Sequence, residues 1–231
     1  MFSKHHLLLL CFINYSGATP RSVTEKRGRD ATLPCEFKAR DISDLFLSRF
    51  SKNLLVCQNE DCKSKNDRVF KIGSCDVIIN DLRLRDAGKY ILRLHYTNDQ
   101  RPRIREYQLH IKDEISVNTG EELKLDLLLI NADKVETNSS GEWTEVWTRG
   151  HGVSSDRLTD SDGNLTINAF TSTDTGTYRV LDSEGQILIT LTLTETGTGS
   201  MMTAERTTNG TEPHTAMVWI LIGLSVLALL R

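Results

Sequence analysis

The side chains able to do chemistry are unevenly placed in this 231-residue sequence. Cys11 lies in an apolar run near the start, and the other four cysteines, Cys35, Cys57, Cys62 and Cys75, all fall in the first half. They have no matching Cys or His pair at zinc spacing. In an oxidising compartment an even number of thiols suits two disulfides, in any of three connectivities. His95, His110, His151 and His214 are scattered without metal spacing, and two further histidines stand near the N-terminus. There is no Gly-x-Ser-x-Gly, P-loop, His-Glu-x-x-His or dinucleotide fingerprint. The expectation is no enzyme, no cofactor, no metal and no small-molecule substrate. Arg101, Arg103 and Arg105 alternate with other residues, which puts all three on one side of an extended strand. Such an edge would meet an acidic partner or a sialylated glycan, or would guard an edge strand against aggregation.

Composition narrows the class of protein that must position these groups. A net charge of −3 with 26% charged residues gives no basic excess for nucleic acid. Four prolines and 15 glycines exclude collagen-like or proline-rich architecture. Hydrophobic residues, 39% of the chain, alternate with polar ones and point to a folded body of roughly 175–180 residues.

The two ends read as addresses. Lys4-His5-His6, the apolar run Leu7–Ile13 and the small residues Ser16-Gly17-Ala18 form a secretory signal with cleavage expected after Ala18. Ala216–Leu230 is apolar apart from Ser225 and is followed only by Arg231. Fifteen helical residues would reach about 22 Å, short of a hydrocarbon core of about 30 Å. A polar Thr-rich stretch before it suggests a glycosylphosphatidylinositol attachment signal, with Asn209 as the candidate attachment residue and Gly197-Thr198-Gly199 as the second small-residue site; the other reading is a short tilted transmembrane helix. Either places the protein on the outer side of the plasma membrane.

Between these ends the chain repeats at roughly ninety residues. Arg68, Val77-Ile-Ile79 and Asp86-Ala-Gly88-Lys-Tyr90 in the first unit match Arg157, Leu165-Thr-Ile167 and Asp174-Thr-Gly176-Thr-Tyr178 in the second. Short alternating runs between Gly, Asn, Asp and Ser turns predict antiparallel strands. The expected fold class is all-β, with two sandwiches in tandem at 19–112 and 113–195. Residues 1–18 are the signal peptide, 196–215 the Thr-rich stalk and 216–231 the hydrophobic anchor.

Each unit resembles an immunoglobulin domain, the first of variable type. The Asp-x-Gly-x-Tyr segments carry the resemblance, which implies tyrosine corners at Tyr90 and Tyr178 and salt bridges Arg68–Asp86 and Arg157–Asp174. The sequence departs from the family pattern at the disulfide between strands B and F. Cys35 stands at the B position, but the F position is Leu92; the second unit has Leu127 and Val180 there. Leu47 falls near the strand C tryptophan position of the first unit, and Trp143 or Trp147 would fill it in the second. Cys75 shares parity with the inward Val77 and Ile79, and in the usual register of the fold it lies opposite Cys35. This favours Cys35–Cys75 and leaves Cys57–Cys62 to close a small turn. A missing B–F disulfide is also similar to the distal domains of signalling-lymphocyte-activation adhesion receptors; fish immune-type receptors are a second comparison.

The resemblance implies protein binding through the sheet built from strands G, F, C and C′. With Leu45 and Leu47 inward, Phe46 and Phe50 face outward beside Ile91, Arg93 and His95, as aromatic residues and Arg do in interfaces. If Phe46 fills the tryptophan position instead, the parity inverts and both rings are buried. Beyond Asn14-Tyr15-Ser16 in the signal, sequons stand at Asn138, Asn164 and Asn209, none in the first unit. The function expected is immune recognition or cell–cell adhesion through the distal domain, with a protein ligand, homophilic or heterophilic, and no signalling tail. Two alternatives are an accessory subunit of a larger receptor and a shed soluble modulator.

Overall fold

A computed structural model describes residues 19–37, 41–127 and 129–196, all within one compact unit. The expected signal peptide, most of the stalk, the anchor and Asn209 lie outside the described residues. Among the described residues the regular structure is strands and short 3-10 turns, and no helix is long and apolar enough to cross a membrane.

The first half contributes β1 (Arg21–Lys26), β2 (Ala31–Leu33), β3 (Ile42–Arg49), β4 (Lys52–Gln58), β5 (Asp61–Ser64), β6 (Val69–Ile72), β7 (Asp76–Ile79), β8 (Gly88–Tyr96) and β9 (Asp99–Val117). The second contributes β10 (Leu123–Leu125), β11 (Lys134–Asn138), β12 (Thr144–Thr148), β13 (Gly152–Val153), β14 (Leu158–Ser161), β15 (Asn164–Ile167), β16 (Gly176–Leu181) and β17 (Ile187–Glu195). The same layering occurs twice. One layer runs β5-β4-β3-β8-β9 with β2-β7-β6 packed on it, and the other runs β13-β12-β11-β16-β17 with β10-β15-β14. This is the arrangement of immunoglobulin-like sandwiches, and in fold the chain resembles the immunoglobulin superfamily.

Period-two burial explains why these segments are strands. Along β8, Tyr90, Leu92 and Leu94 are buried, while Ile91, Arg93 and His95 point to the opposite face, half-buried. On β3, Leu45 and Leu47 are buried, with Leu47 across from Leu92. Leu47 therefore fills the core position and Phe46 faces outward. In the second sandwich Val135 on β11 lies across from Val180, so neither Trp143 nor Trp147 stands on strand C. The connection from Leu127 is short and passes through a 3-10 turn at Leu129–Asn131, which brings β11 in earlier than the first unit's spacing suggests. Trp147 instead lies buried on β12, its Nε1–H donating to Asp160 Oδ2 at 2.6 Å.

β9 belongs to both sandwiches. Its first part pairs antiparallel with β8, Gly88 opposite Leu109, and β1 runs parallel beside Tyr107–Lys112. From Ile111 to Val117 it pairs in parallel with β17. At about 3.3 Å per residue its 19 residues extend roughly 60 Å. Arg27–Asp113 (3.0 Å) and Arg85–Asp126 (3.1 Å) add charge contacts along the junction.

Both sandwiches close with the same hydrogen-bonded corner. Arg68 donates to Asp86 through two nitrogens, at 2.7 and 3.0 Å, and to the carbonyl of Asp81 at 2.9 Å. The Tyr90 hydroxyl donates to the Asp86 carbonyl at 2.6 Å, and burial pushes its pKa up to about 12. In the second sandwich Arg157 pairs with Asp174, and the Tyr178 hydroxyl donates to the Asp174 carbonyl at 2.9 Å. Cys35 is disulfide-bonded to Cys75 and Cys57 to Cys62, with Cα–Cα distances of 5.7 and 4.0 Å. The first bridge joins the ends of β2 and β7 across one sheet. The second spans directly paired residues of β4 and β5.

Candidate functional site

The outward side of the five-stranded layer in the first sandwich brings together Phe46, Ile91, Arg93 and His95. Strand register sets Ile104 of β9 across from Arg93 of β8, Arg93 across from Phe46 of β3, Phe46 across from Val56 of β4 and Val56 across from Lys63 of β5. With strands about 4.8 Å apart, this single row is roughly 19 Å wide. It is apolar at three positions out of five and cationic at two. Ile104 is 48% exposed, and Phe46, Arg93 and Val56 are half-buried. Such a row would be held apart by polar residues if the face only needed to be wet. An apolar centre carrying an arginine is the composition of a protein interface.

The neighbouring rows are polar. Ile91 lies across from Glu106, which holds Lys89 at 2.8 Å. His95 lies across from Asp44 and meets the Phe46 ring edge-on, centroids 5.7 Å apart. No ion pair or hydrogen bond to the Arg93 guanidinium occurs among the described residues. Its charge is therefore available to a carboxylate brought by a partner, where a desolvated pair would contribute far more than on open surface.

Phe50 stands apart from the row. It occupies the two-residue turn between β3 and β4 with Ser51, both at positive φ (48° and 59°), and its side chain is 49% exposed. The sequence places Phe50 on the strand face; the hairpin instead ends at Arg49 and turns there. Bulky residues rarely occupy this left-handed conformation, and the cost is tolerated where the surroundings hold it. The Arg49 guanidinium does so: it lies 4.5 Å from the Phe50 ring centroid, and it donates to the carbonyls of Arg85 and Ala87 at 2.7 and 2.5 Å. Burial lowers the pKa of Arg49. Phe50, Lys89, Ile91 and Arg93 border a depression of about 440 Å³ that continues the face to the hairpin tip.

The three arginines after the β8–β9 turn are elsewhere. The register from Leu94–Arg103 to Gly88–Leu109 is unbroken, so Arg103 and Arg105 share a side with the buried Tyr107 and Leu109. They project beyond the end of the sandwich, turned away from Ile104. Arg103 pairs with Asp99 at 3.1 Å; Arg105 lies 3.8 Å from Glu36 and over the Phe37 ring at 5.1 Å. Arg101 is exposed beside them. Two of the three thus have acidic neighbours within the chain, and the three lie together on one edge away from the Ile104 row.

Ile104, Val56 and Lys63 are the face residues that sequence reading misses. The parity of β9 holds the signal for Ile104, since it alternates with the arginines. Val56 ends the run Leu54-Leu55-Val56, in which no alternation marks a face.

The outer face of the second sandwich has a different character. Glu136 is buried and sits between Lys134 (2.5 Å) and Arg179 (2.6 Å). Burial alone would push its carboxyl up, but the hydrogen bonds and charges of these two cations outweigh that and hold it below the usual range. His110, half-buried with Nε2 2.8 Å from Thr190 Oγ1, is held below its ordinary pKa by burial and then by Lys112.

No protein-family model matches the chain, and no curated protein matches it. Among solved structures the chain is similar to CD84, at 19% identity over 40% of this chain and 96% of that one, with a TM-score of 0.37. It is similar to Tim-2 at 15% identity over 41% and 94%, with a TM-score of 0.38. Murine CEACAM1b aligns over 75% of this chain and 96% of its own, at 12% identity and a TM-score of 0.34. Likenesses this distant carry no inference about function.

Proposed function

We propose that this chain is a cell-surface recognition protein that binds a protein partner through the outer face of its first sandwich, in immune recognition or cell–cell adhesion. In this reading residues 19–112 recognise, residues 113–195 support them, and 196–215 form a stalk that leads to an anchor at 216–231. The observation that carries it is the row Ile104–Arg93–Phe46–Val56–Lys63, an apolar centre with an unpaired guanidinium on a sheet face open to solvent. The sequons at Asn138 and Asn164 both lie in the second sandwich, which leaves this face bare of sugar. Phe50 at the hairpin tip extends the contact surface. The partner offers a carboxylate to Arg93 and apolar side chains to Ile104 and Phe46.

Animal cells expressing the full chain, tested for adhesion to one another and to a panel of other cells, examine this directly. Arg93→Glu and Phe46→Ser at equal surface density are expected to lower adhesion at least roughly tenfold, the effect of losing a central contact of about 1.4 kcal/mol or more. Undiminished adhesion by both variants would refute the assignment of this face. Adhesion between like cells would make the partner a second copy; adhesion only to other cells would make it a different protein.

A further inference from the structure

Trp143 is 40% exposed, yet it has a partner on the surface. The Arg179 guanidinium lies 3.8 Å from its ring centroid, on one face of the indole. Arg179 is itself fixed, its Nε–H donating to the buried Glu136 carboxylate, whose other oxygen takes Lys134. This stack of carboxylate, guanidinium and indole orders a large aromatic ring at the surface and leaves its far side open. An exposed ring held flat in this way gains nothing from burial, so it invites a ligand for its free face.

The strand register says what stands next to it. Thr137 and Thr144 are the last pair of the β11–β12 ladder, and Asn138 and Trp143 are the next residue beyond that pair on either side. Thr137 is buried, so Asn138, next along the strand, points outward with Glu136 and Trp143. Cross-strand neighbours have Cβ atoms about 4.5–5.5 Å apart, within reach of a ring attached to the asparagine nitrogen. Asn138-Ser139-Ser140 is a glycosylation sequon. Its Nδ2 makes no hydrogen bond to the described residues, whereas the Nδ2 of Asn164 donates to the carbonyls of Ser161 and Asp162 at 3.2 and 3.3 Å. The two sequons of the second sandwich therefore differ: one asparagine is tied into its own turn and the other stands free beside an aromatic platform.

We propose that Trp143 is a carbohydrate platform, and that the first N-acetylglucosamine on Asn138 lies with its apolar C–H face on the indole. The sugar covers the open side of the ring, Arg179 covers the other, and the glycan is held against the sandwich. The same contact stabilises the β11–β12 ladder at its open end.

A double-mutant cycle on the full chain from animal cells tests this. Ser140→Ala removes the sequon without touching Asn138 or Trp143, and Trp143→Ala or Trp143→Leu removes the platform, Leu keeping much of the bulk. Ser140→Ala is expected to lower the thermal midpoint by about 2–4 °C with Trp143 present and by less than about 1 °C in either Trp143 variant. Trimming the glycan enzymatically to its first N-acetylglucosamine should preserve the difference. Equal losses in all backgrounds, or an unmodified Asn138 in peptide mass spectrometry, would overturn the proposal. Chain made without glycosylation provides the control, in which Ser140→Ala should change nothing.

Discussion

The two sandwiches share strand order and corner chemistry yet present opposite outer faces. In the first, the row across the large sheet is Ile104, Arg93, Phe46, Val56 and Lys63, apolar at its centre with its cation unpaired. In the second, the corresponding face holds Glu136 saturated by Lys134 and Arg179, with Trp143 stacked on the guanidinium. The first also carries both disulfides and none of the sequons. The frame therefore does not decide what the face does. A fold held by the Arg–Asp corner and a buried tyrosine leaves its outward positions free, and here one set is left unsatisfied while the other is satisfied internally.

Several substitutions would break or sharpen that contrast. Replacing Cys35 and Cys75 together by alanine opens a bridge of sequence separation 40 and should cost about 4 kcal/mol in the chain-entropy view. Denaturant unfolding followed by hydrogen exchange should find the loss in the first sandwich, with β15 and β16 protected as before. Equal loss of protection in both would mean that the shared strand couples them into one cooperative unit.

The corners should differ in strength. Asp86 and Arg68 are 10% and 19% exposed in their side chains, against 16% and 41% for Asp174 and Arg157. Asp86→Ala strands a mostly buried guanidinium and should cost about 3 kcal/mol, whereas Asp174→Ala should cost about half as much, because Arg157 can turn to water. Chemical denaturation of the two variants decides this; equal costs would show that exposure does not set the difference.

The repeated glycines differ as well. Gly88 and Gly176 both sit at positive φ, 125° and 133°. A Cβ at Gly176 would come within 2.9 Å of the Asn138 carbonyl and the Ser139 Cα, both backbone atoms. At Gly88 the nearest atoms are the ends of Arg49 and Phe50, at 3.8 and 3.9 Å. Both alanine variants carry the conformational cost of about 1–3 kcal/mol, and Gly176→Ala should exceed Gly88→Ala by about 1 kcal/mol more. Thermal melts of the pair would reveal a reversed order if the β11 end yields more readily than the β3 hairpin.

The smallest effect is in pH. His110 has its folded pKa lowered, so the unfolded chain binds its proton first as pH falls below about 6.5. Stability is complete above the unfolded pKa and declines from there toward the folded one. Glu136, also lowered, adds a second decline at more acidic pH, beginning near the unfolded carboxyl value and ending at its folded pKa. Melting temperatures between pH 7.5 and 5.5 should fall, and His110→Gln should flatten that interval by less than about 1 kcal/mol. An unchanged slope would remove His110 from the account.

Much of the frame is legible in the sequence because its signals are local. Asp-x-Gly-x-Tyr repeats, and the inward parity of Tyr90, Leu92 and Leu94, need only period-two reasoning, and a sandwich repeated twice follows from them. The face is harder. Phe46, Ile91 and Arg93 are readable once Leu45 and Leu47 are taken as core, but Phe50 depends on where the hairpin turns, and Phe50-Ser51 carries no Gly, Asn or Asp to mark it. Val135 displaces Trp143 and Trp147 from strand C because the connection before β11 shortens, a length that composition does not encode. The arginine edge reads as a site in one dimension. In three dimensions Asp99 and Glu36 stand beside two of its three charges, acidic neighbours that the one-dimensional spacing does not show.

The central claim is that recognition belongs to the first sandwich's outer face, and a matched pair of exposed isoleucines tests it most directly. Ile104 is 48% exposed on that face, and Ile187 is 36% exposed at the start of β17 in the second sandwich. Cells displaying the full chain with Ile104→Arg or Ile187→Arg, at equal surface level, should be compared for adhesion to the partner cells. The account predicts loss of at least roughly tenfold for Ile104→Arg and none beyond about twofold for Ile187→Arg. Loss by Ile187→Arg with adhesion kept by Ile104→Arg would contradict it and move recognition to the second sandwich.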